Sequence, residues 1–182
     1  MGFRIENGIL VEYIEEPGVT EVVVPDGIKI IGEFAFSCSG LVSITLPNSI
    51  TDIDEGAFQN CPHLTTVILP ENITWISDYL FDGCENLKSV VIPEQVTYIG
   101  DMAFFGCCSL TSVVIPEKVR TIDDWAFACC QQLTSITIPA SVTRIGENAF
   151  WKDRGEKLTI RAPRGSYAIE YAKQNGIAYE EL

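Results

Sequence analysis

The sequence predicts a repeat solenoid, in which short units of similar sequence stack on one another along the chain. Seven prolines recur at intervals of 22 to 24 residues, at positions 25, 47, 70, 93, 116, 139 and 163. The residues between them repeat as well, as the stretches YIGDMAFFGCCSLTSVVIP and TIDDWAFACCQQLTSITIP illustrate. A fixed period of this size is typical of solenoids, because each unit buries its apolar face only against its neighbours. About six coils are expected from the spacing of the prolines.

The segment before each proline predicts a β-strand. Apolar residues alternate there, as in Val22 and Val24 or Val113 and Ile115, and a period of two indicates a strand with one buried side. Each strand is expected to pair in parallel with its equivalent one coil away, at about 4.8 Å. Proline ends the strand because it has no N–H to donate.

A second apolar pair and a phenylalanine follow each proline. The pair, for example Val96 and Ile99, predicts an opposite wall whose side chains point inward. The phenylalanines predict a buried column that consists of Phe36, Phe58, Phe81, Phe104, Phe127 and Phe150. A turn and a leucine complete the coil. The expected fold therefore combines a parallel sheet with short strands, turns and helical turns on the other side.

Cysteines form a further ladder in the same register. Cys61, Cys84, Cys107 and Cys130 each stand three residues after a column phenylalanine, and Cys38 is assigned to the ladder with a shift of one residue. Cysteine behaves as a small hydrophobic residue, so these thiols are expected to be reduced and to fill a tight turn. The odd total of seven cysteines and the lack of a C-x-x-C motif argue against a disulfide framework and a metal site.

Both ends of the array are predicted to be capped, within one structural domain. Residues 1–18 contain two strand patterns around Asn7-Gly8, the dipeptide favoured in type I′ hairpins. Residues 19–163 contain the repeats, which depart from their pattern near the end, where WKDRGEK replaces the usual turn. Residues 164–182 predict a helix with Ser166 at its N-cap, Lys173 in its last turn and Gly176 just beyond it.

The repeat LTSVVIPEKVRTIDDWAFACC resembles the BspA-like leucine-rich repeat family, with units of about 23 residues. The resemblance covers nearly the whole chain, because Leu, Val, Ile-Pro, Val, Ile, Ala-Phe and Cys recur in this order. It implies a right-handed, curved solenoid with a parallel sheet on its concave face. It also implies a surface or secreted protein of bacteria or some protists that binds host or matrix proteins.

Charge and composition argue against several classes of function. The chain has 25 acidic and 12 basic residues, a net charge of −13, whereas nucleic acid and anionic membranes attract clustered Lys and Arg. No apolar run approaches the roughly 20 residues of a membrane helix. The first ten residues lack the features of a signal peptide, and reduced cysteines suit the cytoplasm, so the residues leave open whether the location is cytoplasmic or extracellular.

Candidate catalytic and metal-binding residues are few. His63 is the only histidine and lies in a turn, so neither a nucleophilic triad nor a common zinc site is expected. An acidic column stands eight residues after the prolines and consists of Glu33, Glu55, Asp78, Asp101, Asp124 and Glu147. Ca²⁺ prefers such oxygen ligands, but acids are also favoured where a short helical turn begins, and we prefer this structural interpretation. No catalytic, cofactor-binding or metal-binding residue is predicted.

Two surfaces are candidates for binding a partner. The first, here called the sheet face, consists of the outward strand positions Val23, Thr45, Ile68, Val91, Val114 and Thr137, with Lys88 nearby. It is apolar and almost uncharged, and contiguous apolar surface with a polar border marks interaction sites. The second, the aromatic flank, consists of Trp75, Tyr98, Tyr79 and Trp125. Its rings suit a glycan, a protein interface or simple packing between coils.

The sequence therefore predicts a non-enzymatic, monomeric scaffold that binds a protein or peptide through the sheet face, centred on Ile68, Val91 and Val114. A carbohydrate binder that uses the aromatic flank is one alternative, and a structural or self-associating module is another. An enzyme is not expected, because no acid, base and nucleophile can be assembled. No cofactor, nucleic acid or membrane insertion is expected.

Overall fold

Two ladders of short strands run along the chain, one before the prolines and one after them. The computed structural model describes residues 2–152 and 157–182. Its elements are, in chain order, β1 (Gly2–Glu6), β2 (Ile9–Ile14), β3 (Glu21–Val23), β4 (Ile30–Ile31), β5 (Ser43–Thr45), β6 (Asp52–Ile53), β7 (Thr66–Ile68), β8 (Trp75–Ile76), β9 (Ser89–Val91), β10 (Tyr98–Ile99), β11 (Thr121–Ile122), β12 (Ser135–Thr137), β13 (Arg144–Ile145), β14 (Thr159–Ala162), α1 (Tyr167–Gln174) and β15 (Ala178–Glu181).

The strands before the prolines form the first sheet. Strands β3, β5, β7 and β9 are parallel neighbours, and β12, β14 and β15 form a second parallel group. Isolated bridges from Ser89 to Ser112 and from Val114 to Thr137 connect the two groups. The predicted parallel pairing is confirmed. The solenoid has about seven turns, one more than expected, because β14 closes a further turn beyond the regular repeats.

The strands after the prolines form the second sheet. Strands β2, β4 and β6 pair in parallel, as do β8, β10, β11 and β13. Their inward side chains form a buried column that consists of Leu10, Ile31, Ile53, Ile76, Ile99, Ile122 and Ile145. These residues belong to the same apolar cluster as the inward residues of the first sheet. The two sheets therefore enclose one core.

Overlapping turns follow the second sheet in each coil. Their backbone N–H groups alternate between two kinds of partner. Those of Ala57 and Gln59 donate to carbonyl oxygens three residues earlier, at 3.3 and 2.8 Å. Those of Gly56, Phe58 and Asn60 donate to carbonyl oxygens of the next coil, at 3.0, 3.1 and 2.6 Å. Because every second N–H reaches the neighbouring coil, the turns are held in the same register as the strands.

The predicted phenylalanine column occupies the centre of the core. All six rings are buried, and neighbouring rings stack with centroids 5.0 to 5.6 Å apart. Two tyrosines lengthen it, since Tyr13 stacks on Phe36 at 5.4 Å and Tyr171 of α1 meets Phe150 edge-on at 6.1 Å. Neither tyrosine belongs to the predicted column, although Tyr13 stands one period, 23 residues, before Phe36.

The N-terminal segment forms the predicted hairpin. Strands β1 and β2 pair antiparallel around Asn7 and Gly8. Both turn residues are left-handed, with φ of 51° and 80°, as a type I′ turn requires. Strand β2 then pairs in parallel with β4, so the hairpin covers the first edge of the second sheet.

The C-terminal segment contains the predicted helix and one strand more. Helix α1 follows Ser166, has Lys173 in its last turn and is followed by Gly176, whose φ is 66°. The Ser166 hydroxyl makes no capping hydrogen bond, so only the backbone of this residue fulfils the N-cap role. Strand β15 is absent from the sequence prediction and extends the first sheet by pairing with β14. Part of the replaced turn WKDRGEK, residues 153–156, lies outside the described residues. The division at residues 18 and 163 stays a prediction.

The phenylalanine column predicts different effects for two adjacent residues. Phe104 is fully buried between Phe81 and Phe127, whereas Phe105 is partly exposed and its ring centroid lies 6.4 Å from that of Trp125. We expect Phe104→Ala to lower the free energy of unfolding by about 3–5 kcal/mol, because it leaves a cavity. Phe105→Ala should cost about 1–2 kcal/mol. Denaturant unfolding followed by circular dichroism measures both, and equal losses would contradict the assigned register.

Candidate binding surfaces

The side chains of the sheet face point into solvent, as predicted. Ile68, Val91 and Val114 stand on three successive coils and are 78%, 73% and 73% exposed. Parallel register aligns Thr45 with Ile68 and Ile68 with Val91, and a bridge aligns Val114 with Thr137. Neighbouring side chains are therefore about 4.8 Å apart along the solenoid. The predicted apolar strip is present as a continuous column, and its binding of a partner stays a prediction.

A polar row lies beside the sheet face. It consists of Ser43, Thr66, Ser89, Ser112 and Ser135. All of these residues except the partly buried Ser43 are exposed. Lys88, immediately before β9, is exposed as well. The hydroxyl groups provide hydrogen-bonding partners next to the apolar column without adding charge.

A shallow cleft opens beside the same column, on its proline side. It has a volume of about 600 Å³ and is lined by Ile68, Leu69, Glu71, Asn72, Val91, Ile92, Pro93, Glu94 and Gln95. Sequence reasoning did not include the residues that follow the prolines. The repeat nevertheless contains a pattern that identifies these residues, since Glu71, Glu94 and Glu117 each come directly after a proline. The candidate surface is therefore wider and more acidic than the strands alone predict.

The residues of the aromatic flank differ in exposure. Trp75 is 44% exposed, while Tyr98, Tyr79 and Trp125 are partly buried. Trp75 and Tyr98 are neighbours across β8 and β10. The Tyr98 hydroxyl donates to Oδ2 of Asp123 at 2.7 Å. Burial and this hydrogen bond raise the pKa of Tyr98. Tyr98 thus has a structural bond that Trp75 lacks in the described part of the chain.

One residue position in the turns after the second sheet has an unusual backbone conformation in successive coils. The residue after each member of the acidic column is left-handed, with φ between 50° and 58°, at Phe34, Gly56, Tyr79, Met102, Trp125 and Asn148. Glycine and asparagine adopt this conformation readily, whereas a bulky side chain pays roughly 1–2 kcal/mol. The fold imposes the conformation on every coil, but it does not require aromatic residues there.

Two carboxylates of the acidic column join adjacent coils. Oδ1 of Asp78 accepts the backbone N–H of Asp101 at 2.9 Å, and Oδ1 of Asp124 accepts that of Glu147 at 2.7 Å. Space for the first carboxylate comes from Gly100, where a Cβ would lie 2.3 Å from Oδ1 of Asp78. In residues 2–152 and 157–182, no group of three or more His, Cys, Asp or Glu side chains could hold a metal ion. These bonds support the structural interpretation, although the N–H belongs to the next coil and not to a helix start.

The four regular cysteines of the ladder are buried thiols, as predicted. Each donates from Sγ to the carbonyl oxygen of the column phenylalanine one coil earlier, at 3.0 to 3.2 Å; the donors are Cys61, Cys84, Cys107 and Cys130. Burial raises the pKa of Cys107. The ladder therefore provides hydrogen bonds as well as volume.

The assignment of Cys38 to the ladder is wrong. Cys38 is exposed and left-handed, with φ of 60°. Ser39 is buried in its place, and its Oγ lies 3.4 Å from Sγ of Cys61. Ser39 stands three residues after Phe36, so the spacing within the coil identifies it, whereas residue type alone misleads.

The remaining chemical candidates stay at the surface. His63 is exposed in its turn. The cleft beside the sheet face has no Ser, Cys, His or Lys among its lining residues. A second cleft of about 630 Å³ lies between the last coil and α1 and includes Trp151 and Tyr171 in its lining. Among the described helices, none has the length and apolar character to cross a bilayer.

Together, the stacked strands, the phenylalanine column and the open outward surfaces define a leucine-rich-repeat solenoid. The pattern of the BspA type leucine-rich repeat region matches the chain in six copies, over residues 13–113 and 105–172. The chain therefore belongs to the BspA-type leucine-rich repeat family. No sequence among the curated proteins matches it.

Solved structures of bacterial leucine-rich repeat proteins are similar to this chain. One from Eubacterium ventriosum is 28% identical with a TM-score of 0.67, over 79% of this chain and 45% of its own. One from T. pallidum is 26% identical with a TM-score of 0.61, over 88% of this chain and 67% of its own. The pneumococcal vaccine antigen PcpA shares the fold at 22% identity, with a TM-score of 0.71 over 89% of this chain and 47% of its own. This chain spans about half the length of several such proteins.

The ladder predicts two classes of thiol reactivity. At neutral pH we expect a thiol reagent such as DTNB to label the exposed Cys38 quickly in the folded protein. The four buried ladder thiols should react only as fast as the protein unfolds, because the reagent has no access to them in the folded state. Time courses with and without denaturant, compared with Cys38→Ser, measure this. Labelling of Cys107 at the rate of Cys38 would contradict the assigned burial.

The carboxylates near the second sheet predict that the stability of the fold decreases as the pH rises. Oδ1 of Asp101 is buried and accepts no hydrogen bond from the described residues. Burial, together with the charges of Asp78 and Asp124, raises the pKa of Asp101, and burial together with Glu33 raises that of Asp54. The folded chain therefore holds more protons than the unfolded chain in the window above the unfolded pKa of about 3.9. Stability should increase as the pH falls from neutrality into that window.

Asp101→Asn tests this origin. We expect the variant to be more stable than the parent at neutral pH and to show a flatter dependence of melting temperature on pH, because the penalised charge is absent. Glu85→Gln is the matched control, since it makes the same charge change at an exposed position. If both variants shift the profile equally, total charge and not the Asp101 environment is the cause.

Proposed function

We propose that this chain is a non-catalytic scaffold that binds a protein or peptide through the sheet face. The observation that carries the proposal is the column of Ile68, Val91 and Val114, three large apolar side chains that are each more than 70% exposed on adjacent coils. Contiguous apolar surface with a polar border marks interaction sites. Membership of a leucine-rich repeat family supports the general role of a protein-interaction scaffold.

The size of the apolar column indicates what else a partner needs. Full burial of each side chain contributes about 1.5–3 kcal/mol, whereas association costs at least about 4 kcal/mol in lost freedom of motion. The three side chains therefore suffice only for weak binding. Hydrogen bonds to the serine and threonine row, or charges along the cleft, have to add to them. The family resemblance further supports an adhesion or interaction role at the cell surface or outside the cell.

The aromatic flank supports a second candidate function, the binding of a carbohydrate. Its members Tyr79 and Trp125, and the equivalent Phe34, adopt the left-handed conformation, which costs less for glycine or asparagine, as at Gly56 and Asn148. Aromatic rings stack on the apolar faces of sugars, and Trp75 adds a 44% exposed ring nearby. Retention of costly side chains on an accessible wall favours a role in recognition beyond stacking of the coils.

A capture experiment distinguishes the two surfaces. Val91→Lys and Val114→Lys should remain folded, because both positions point outward, and each should abolish binding of a partner captured by the parent. Trp75→Ala should leave that binding unchanged. Retention of every captured partner by the lysine variants, with loss in Trp75→Ala, would assign the site to the aromatic flank. Light scattering of the isolated chain across concentration tests the remaining alternative, a self-associating module, which predicts a mass that rises with concentration.

A further inference from the structure

A second column of side chains lies next to the apolar column and is acidic. The residue directly after the proline is acidic in four coils, at Asp26, Glu71, Glu94 and Glu117. These four residues, here called the proline-side acids, are all exposed. None of them forms an ion pair with a lysine or arginine in the described chain. Lys118 follows Glu117 but donates its Nζ to Oε1 of Gln95.

The proline-side acids differ from the acidic column in having no internal role. Asp78 and Asp124 accept backbone N–H groups of the next coil. The proline-side acids accept no hydrogen bond from the part of the chain that the structure describes. Like charges on adjacent coils repel one another, and side chains that only needed to be polar could have been neutral, as Asn48 is at the same position. Stacking of the coils therefore does not explain them.

Apolar and acidic columns meet in one cleft. Glu71 and Glu94 line it together with Ile68 and Val91, and the repeat register places Glu117 beside Val114 in the next coil. The two columns run along the solenoid, with a repeat of about 4.8 Å set by strand spacing. A partner that lies in the cleft therefore meets apolar groups on one side and carboxylates on the other, at regular intervals.

The interval favours a helical partner over an extended one. Successive turns of an α-helix rise about 5.4 Å, which is close to the coil repeat. Side chains on one side of an extended strand are about 6.8 Å apart, so a strand would lose register after one coil. An amphipathic helix that lies along the cleft can place apolar residues at i, i+4 and i+7 on three successive coils.

We propose that the partner segment is a cationic amphipathic helix, which packs its apolar stripe on Ile68, Val91 and Val114. Lysine or arginine residues beside the stripe pair with Glu71, Glu94 and Glu117. This proposal rests on the proposed function, to which it adds the charge and shape of the ligand. Complementary charge gives orientation and fast association, and the apolar contacts retain the bound segment.

The test uses a synthetic amphipathic helix of Leu and Lys, with Leu at i, i+4 and i+7, and the full chain. Fluorescence anisotropy should show binding to the parent. Two further peptides serve as controls, one with Glu in place of Lys and one of the same composition in scrambled order. Both should bind at least about tenfold more weakly. Equal binding of the scrambled peptide would overturn the helical geometry, and equal binding of the Glu peptide would overturn the charge requirement.

Variants of the chain separate this proposal from the proposed function. Glu71→Gln, Glu94→Gln and Glu117→Gln combined should weaken binding of the Leu-Lys peptide by about tenfold and reduce its salt dependence. The matched control combines Glu33→Gln, Glu55→Gln and Glu85→Gln, which remove the same charge at exposed positions elsewhere and should have little effect. Val91→Ser with Val114→Ser removes apolar surface without adding charge, and it should abolish binding.

The outcomes differ for the two claims. Loss of binding in the Val91→Ser, Val114→Ser variant, with no effect of the Glu71, Glu94 and Glu117 changes, would overturn the cationic helix and leave the sheet face as the binding surface. Unchanged binding in both variants would overturn both claims. An equal effect of the two triple glutamine variants would show attraction by net charge alone and would also overturn the proposal.

Discussion

Parallel hydrogen bonding between successive coils is the constraint on which the rest of this structure depends. Strands pair with their equivalents one period away, and every second N–H of the turns reaches the next coil as well. Each residue is thereby placed next to the residue about 23 positions later. A side chain suited to its position must consequently suit its own copies above and below it. Equivalent residues of successive coils therefore form columns along the solenoid, and all residues of one column meet the same physical requirement.

Several polar features follow from this constraint. Carbonyl groups of the column phenylalanines point toward the next coil, and the cysteine thiols there donate to them at 3.0 to 3.2 Å. A carboxylate that reaches the N–H of the next coil needs space beside it, and Gly100 leaves that space for Asp78. The left-handed conformation recurs for the same reason, because a turn of fixed shape must stack on its copies. The ladder cysteines and Asp78 therefore contribute to the stacking of the coils.

The sequence predicts the columns well and the departures from them poorly. Period and alternation identify both sheets and the phenylalanine column, because burial imposes the same residue type on every coil. The ends have only one neighbour, so the period gives no information on β15 or Tyr171. Cys38 is misassigned for a related reason. The first interval between the prolines is one residue shorter than the next, and Ser39, not a cysteine, stands at the ladder position. A prediction based on the strands does not include the acidic residues of the cleft, because the residues after proline lie outside the alternating pattern.

The same constraint decides what kind of surface this protein presents. Stacked copies cannot easily converge on one point, so equivalent side chains line up along the solenoid. A column of like charges carries a repulsive cost at every coil, and a column of exposed valine and isoleucine leaves apolar surface in water at every coil. Ile68, Val91 and Val114 leave apolar surface in water. The acids after the neighbouring prolines repel one another. One elongated partner with an apolar stripe and a basic edge would relieve both costs, and this is the physical reason for proposing the two adjacent columns as one recognition surface.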